Sequence, residues 1–190
     1  MRRHGGLVAP YKPTPPRVLR LLSRILSGIA GGMHRQPVLY EAGCGLALAS
    51  RLAARRHGYY SVCVELDEGL VGQARVLVEE SGVGHLVDIV EGDVLSFKPR
   101  CVTAVYAYLM PEPMERLGEL VPCDAVLLSL DYPAPNLPLQ AYWELAGGYT
   151  LYMHSRLLPA SLNASSAQGM HQSSPSRRSV SGVGTPSTAS

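Results

Sequence analysis

At 190 residues and 20.4 kDa, the chain has room for one well-buried domain with tails, and is too short for two ordinary domains plus a linker. Its 46% hydrophobic and 17% charged residues describe a globular core. No stretch approaches the roughly 18 uninterrupted apolar residues of a membrane helix, so membrane insertion is not expected. A net charge of +2 and a pI near 8.4 fall short of the basic patch and pI above about 9 that mark phosphate-driven nucleic-acid binding. Met1-Arg2-Arg3-His4 is followed by Gly5, Gly6, Pro10 and Lys12 and not by an apolar run. That pattern argues against a signal peptide and predicts a soluble, cytoplasmic protein. Cys44, Cys63, Cys101 and Cys123 show neither a Cys-x-x-Cys pair nor a His at ligand spacing, so no metal site is expected. They read as small buried apolar residues, with a disulfide left open for a hyperthermophile source.

In chain order, residues 1–12 read as a flexible arm. Pro13-Thr14-Pro15-Pro16 then precedes a helical pattern of Val18, Leu19, Leu21, Leu22, Ile25 and Leu26. Thr14 suits the N-cap and Pro15 the first helical position, while Gly28 and Gly31-Gly32 are expected to end the helix. A first strand, Pro37–Tyr40, runs through Glu41 into a glycine turn at Gly43 and Gly45 and then a helix from Leu46 to Arg56. A second strand, Tyr59–Val64, ends at Glu65. The helix Glu68–Ser81 after it carries Leu70, Val71, Ala74, Leu77 and Val78 on one face. A third strand, Val87–Glu91, ends at Gly92-Asp93. A fourth spans Cys101–Leu109 and leads into a short helix through Met114, Leu117 and Leu120; Ala125–Leu130 is a fifth. Tyr142–Leu145 and Thr150–Met153 flank Gly147-Gly148, a pair suited to the positive-φ positions of a two-residue hairpin. From 159 to 190 the composition turns to Ser, Pro, Thr and Gly, which predicts a disordered tail with Arg177-Arg178 solvated inside it. The domain proper therefore spans 13–158.

Strands alternating with helices predict an α/β fold: a doubly wound, Rossmann-like, mostly parallel sheet closed by an antiparallel hairpin. Ligands of such sheets bind outside the carboxyl ends of the strands, where the 43–45 loop sits. Leu48 stands where a dinucleotide fingerprint needs a small residue. Glu41, directly before the glycines, would repel a pyrophosphate but attract an ammonium. Glu65 is placed to accept ribose hydroxyls and Asp93 an adenine amino group. Three carboxylates at successive strand ends favour a cationic nucleoside over a phosphate.

The series Glu41-x-Gly43-x-Gly45, Glu65 and Gly92-Asp93 resembles the motifs of class I S-adenosylmethionine-dependent methyltransferases over residues 37 to 155. Ala9-Pro10-Tyr11-Lys12-Pro13-Thr14-Pro15 and Tyr106-Ala107-Tyr108-Leu109-Met110-Pro111 resemble the small archaeal protein-lysine methyltransferases. Mitochondrial relatives of these, acting on the ATP synthase c-subunit and the adenine nucleotide translocase, share the pattern. The resemblance implies S-adenosyl-L-methionine as cofactor, Tyr11 and Thr14 as cofactor contacts, and a protein lysine side chain as acceptor. The chain departs from that family at Leu46-Ala47-Leu48, where an Asp-Gly-Arg is usual, and at Ser129-Leu130-Asp131-Tyr132, where relatives often show Ser-His-Glu-Phe.

Methyl transfer to an amine needs alignment and a neutral nucleophile more than a catalytic triad. Tyr106, Tyr108 and Tyr132 are the candidates for an apolar channel that desolvates the lysine and lowers its pKa. The six histidines show no pairing with a nucleophile. Two other readings stand beside this one: methylation of a nucleic-acid base, for which Leu128–Pro133 faintly resembles an Asp-Pro-Pro-Tyr loop, and a cofactor-binding scaffold without transfer. The sequence leaves the degree of methylation and the oligomeric state open.

Overall fold

The computed structural model describes residues 11–157 and Arg177–Arg178. The readings for residues 1–10 and for the rest of the tail lie outside the described residues. In chain order the elements are α1 Pro16–Gly31, β1 Val38–Ala42, α2 Leu48–His57, β2 Tyr60–Glu65, α3 Glu68–Glu80, β3 Val87–Glu91, β4 Ala104–Ala107, α4 Pro111–Leu120, β5 Val126–Leu130, β6 Leu139–Leu145, β7 Tyr149–His154 and β8 Arg177–Arg178. They build one sheet in the order β3-β2-β1-β4-β5-β7-β6-β8. β1 to β5 pair in parallel and the remaining strands antiparallel. The expected doubly wound sheet with its closing hairpin is what forms, and the strand order reverses between β1 and β4.

Period-two alternation decides what each face of the sheet carries. Leu39, Cys63, Ala104 and Leu128 face α1, α2 and α3. There they pack on Val18, Leu22 and Leu26 of α1, on Ala49 and Ala53 of α2, and on Ala74 and Val78 of α3. Tyr40, Ala42, Val64, Val105 and Leu127 face the other way, onto Met114 and Leu117 of α4. Glu41 shares the α2 side with Cys63 and Tyr106, its register partners. That single fact sends its side chain beneath a helix. Among the described residues, no helix is long and apolar enough to cross a membrane.

Several local expectations change. Thr14 does not cap α1; Pro15 is the N-cap and makes no side-chain bond there. The Thr14 hydroxyl pairs instead with the Tyr106 hydroxyl, 2.8 Å away, because the chain is drawn back over the sheet. Gly28 lies within α1, whose amphipathic packing outweighs the cost of about 1 kcal/mol for one helical glycine. β4 is only four residues long, Ala104–Ala107, and just before it Thr103 is bonded to Val38 through both its amide and its hydroxyl. The hairpin turn has three residues, Ala146-Gly147-Gly148, between Leu145 and Tyr149; both glycines take the expected positive φ, 90° and 76°. Arg17 of α1 donates to the Ala146 carbonyl and ties that turn to the first helix. Arg177–Arg178 is not wholly without structure, for it pairs antiparallel with Tyr142 and Trp143 on the outer edge of β6.

The cysteines need the largest correction. Cys101 and Cys123 are exposed. Cys44, in the glycine turn, and Cys63, in β2, are bonded to each other with Cα atoms 5.6 Å apart. Parallel pairing of β1 with β2 brings the turn after one strand over the middle of the next, a proximity invisible in a spacing of 19 residues.

Two stability predictions follow from this core. Leu22→Ala, at a fully buried site, should destabilise by about 2–5 kcal/mol in chemical denaturation, since a cavity is added to the lost transfer energy. Replacing Cys44 and Cys63 together by Ala should lower stability by about 3 kcal/mol through the freed unfolded chain. Reducing agent should then no longer change the melting temperature, as it does for the unaltered protein.

Candidate functional site

The carboxyl ends of β1, β2, β4 and β5 surround a cavity of about 1070 Å³. It lies where the strand order reverses, the usual ligand crevice of an open α/β sheet. The volume is at the top of the roughly 300–1,000 Å³ range of small-molecule sites, enough for a nucleoside cofactor and part of a second reactant.

The glycine turn forms one wall. Gly43 and Gly45 take φ of 67° and 54°, and Ala47 follows at 54°. A Cβ on Gly43 would come within 2.7 Å of Leu109 Cδ2, and one on Gly45 would overlap the Tyr11 ring. Glycine is thus required twice over, by conformation and by close approach. The turn is stitched to β2: the Gly43 and Cys44 amides donate to the Val64 carbonyl at 2.9 and 3.2 Å, and the Gly45 amide donates to Glu65 Oε2 at 2.8 Å. The Cys44–Cys63 bond adds a covalent stitch.

Glu41 is 3% exposed. Its Oε2 accepts from the Ser50 amide at 2.7 Å and its Oε1 from the Ala49 amide at 3.4 Å. These are free N–H groups of α2, whose N-cap residue, Ala47, has no side-chain oxygen to offer. Burial pushes the Glu41 carboxyl up to about 7, while the α2 amides pull against it. Glu65 uses Oε1 on the amides of Leu66 and Asp67, at 2.8 and 3.0 Å, besides its bond to Gly45. Of about four carboxylate lone-pair sites, one is left for a ligand. Asp93 is exposed, and its Oδ1 accepts from the Leu95 amide at 2.9 Å.

The opposite wall is aromatic. Tyr106 is 1% exposed and spends its hydroxyl on Thr14. It therefore acts as a strut holding the N-terminal segment over the cavity more than as an open channel wall. Tyr108 is half-buried and donates to Asp131 Oδ2 at 2.8 Å. Asp131 has a φ of 64° and is held by Thr150, whose amide donates to Oδ1 at 3.2 Å and whose carbonyl accepts from the Asp131 amide at 2.8 Å.

Of the residues singled out from sequence, Tyr11, Thr14, Glu41, Gly43, Glu65, Asp93, Tyr106, Tyr108 and Tyr132 all border this one cavity; Gly45 sits just beneath Tyr11. The sequence reading did not assign Lys12 and Asp131, which border it too. Asp131 directly follows β5 and Glu65 ends β2, so the strand-end rule that found Glu65 would also have found Asp131. Nothing local marks Lys12.

No protein-family model matches the chain, and no curated protein matches it. Solved structures do. An RNA methyltransferase from Salinibacter ruber, in complex with S-adenosyl-L-homocysteine, is 27% identical over 80% of this chain and 99% of that one, with a TM-score of 0.67. A SAM-dependent methyltransferase from Geobacter sulfurreducens, also with S-adenosyl-L-homocysteine, is 18% identical over 73% of this chain and 53% of that one, at TM-score 0.52. The M1A22 tRNA methyltransferase TrmK of B. subtilis is 15% identical over 76% of this chain and 68% of that one, at 0.58. With this sheet order, this hairpin and these neighbours, the chain has the Rossmann-like fold of the class I S-adenosylmethionine-dependent methyltransferases.

Proposed function

We propose that the protein is an S-adenosyl-L-methionine-dependent methyltransferase of the cytoplasm whose acceptor is a lysine side chain of another protein. The observation that carries the cofactor is the donor set. A cavity of nucleoside size is bordered by Glu41, Glu65 and Asp93 and by a turn at whose two glycines a side chain would clash. Carboxylates accept from a ribose diol, an adenine amino group and an ammonium, and they repel phosphate. Glu41 would supply charge facing the cationic end, Glu65 would accept from ribose, and Asp93 from the base. Tyr11, laid over Gly45, and Thr14, held by Tyr106, would close the near side. When bound, the cofactor supplies an electrophilic methyl group on a positively charged sulfur.

The protein's own part is alignment and desolvation. Tyr108 and Tyr132 border the cavity beside Asp131 and Met110, an apolar and acidic environment that suits a lysine stem and its amine. A lysine held there beside Asp131 as an ammonium would have to lose its proton before it attacks. The Tyr108 hydroxyl, its pKa raised first by burial, stays protonated and, donating to Asp131, has its oxygen left to accept from a polar head.

RNA methylation is the second reading, favoured by the names of the Salinibacter ruber and B. subtilis neighbours. Against it stand an acidic cavity rim and the modest net charge of +2, which give a polyanion little to hold. Incubation of the protein with labelled S-adenosylmethionine and cell lysate should place label on protein. Label on RNA alone would replace the lysine reading by the second. Cofactor binding by calorimetry with no transfer to either would leave a scaffold.

The raised pKa of Glu41 yields a pH test. Below about 7 the carboxyl is protonated, so cofactor affinity should fall as pH drops through that value. Glu41→Gln should bind weakly with a flat pH profile; an unchanged affinity would remove Glu41 from the site. For stability the sign is opposite. A folded pKa above the unfolded one stabilises at low pH, and that stabilisation, about 3 kcal/mol, is lost as pH rises from 4.5 through about 7.

A further inference from the structure

Beyond the cofactor crown, the cavity has a second charged feature. Lys12, in the segment before α1, extends its ammonium across two aromatic rings, with Nζ 5.3 Å from the Tyr108 centroid and 5.0 Å from the Tyr149 centroid. Both distances fall inside the roughly 6 Å within which a ring face attracts a cation. Tyr108 is hydrogen-bonded through its hydroxyl to Asp131, so the carboxylate stands at the edge of the ring that the ammonium covers. The Tyr108 hydroxyl, with a smaller contribution from the Asp131 carboxylate, holds the Lys12 ammonium above its ordinary pKa. Two aromatic faces and one acid, converging from β4, β5 and β7, are what recognition of an alkylammonium group requires.

The arrangement is built and not incidental. Asp131 carries a positive φ of 64°, unusual for a residue other than glycine. It is kept there by a pair of main- and side-chain bonds to Thr150, the neighbour of Tyr149 in β7. The closing hairpin thus delivers one ring and locks the acid, while the end of β4 delivers the other ring. Lys12 itself is exposed and anchored by nothing else described, so its head can leave without disturbing the fold.

We propose that Tyr108, Tyr149 and Asp131 form an alkylammonium-binding subsite for the methyl acceptor, and that Lys12 is its built-in occupant, displaced when an acceptor enters. The ligand class is a primary or partly methylated ammonium on an unbranched alkyl stem. The identity of that ligand as the acceptor rests on the methyltransferase reading above; the existence of the subsite does not. Lys12 lowers the apparent affinity for any competing ammonium by the fraction of time it fills the subsite. It thereby selects against weak, adventitious amines.

The test uses n-butylammonium as the probe and n-butanol as its uncharged counterpart, with binding followed by NMR line shifts on the full chain. Lys12→Ala should bind n-butylammonium more tightly than the unaltered protein, by about tenfold if Lys12 fills the subsite nine-tenths of the time. Adding Tyr149→Leu, which keeps apolar bulk and removes the ring, should abolish that gain, and n-butanol should show no preference among the three proteins. Equal n-butylammonium affinity with and without Lys12, or a gain that survives Tyr149→Leu, would overturn the subsite. Calorimetry with S-adenosyl-L-homocysteine on the same samples separates the two levels. Loss of cofactor binding would end the methyltransferase reading, whereas intact cofactor binding with no ammonium preference would end only this inference.

Discussion

The structure turns on a buried carboxylate at the foot of a helix. Glu41, next to last in β1, lies on the side of the sheet that α2 covers, and its two oxygens take the amides of Ala49 and Ser50. The helix would otherwise begin with unsatisfied donors, because Ala47 cannot cap it. One side chain therefore fixes the angle at which the chain leaves the glycine turn, and the partial positive charge of the helix end offsets part of the cost of burying it. Burial still raises its pKa to about 7. Such a group responds strongly to an additional cation nearby, which is what the proposed cofactor would bring.

A second constraint is the stitching of the 43–45 turn to β2. Main-chain bonds to Val64, the Glu65 carboxylate and the Cys44–Cys63 bond all act on a span of three residues. The turn has a left-handed conformation at both glycines, which glycine adopts without steric cost. A rigid turn offers a fixed surface to a ligand and loses little entropy on binding. With its cysteines 5% and 0% exposed, this bond is reached by soluble thiols only as the fold opens.

The segment before α1 joins the two halves of the cavity. Tyr11 lies over Gly45, Thr14 binds Tyr106, and Lys12 between them reaches Tyr108 and Tyr149. Three residues within a span of four thus touch the glycine turn, the core and the aromatic wall. The hairpin answers from the other side through Arg17, which clasps its turn to α1. Closure of the cavity and docking of the first helix are consequently one structural event.

The sequence by itself determined the fold class, the five parallel strands and the hairpin, because period-two and period-3.6 patterns are local and repeat over many residues. It also determined that Glu41, Glu65 and Asp93 end adjacent strands, since in a parallel sheet every strand ends on the same side. What only the tertiary structure decided is which way those side chains turn and what they already hold. Glu41 is drawn beneath α2 and Glu65 onto three amides, contacts made with residues that the strand pattern does not mention. Pairing of Cys44 with Cys63, the meeting of Thr14 with Tyr106 across 92 positions, and the assembly of Lys12, Tyr108, Asp131 and Tyr149 all depend on strand register and on the return of the N-terminal segment. Those are long-range packing outcomes, and no spacing along the chain encodes them.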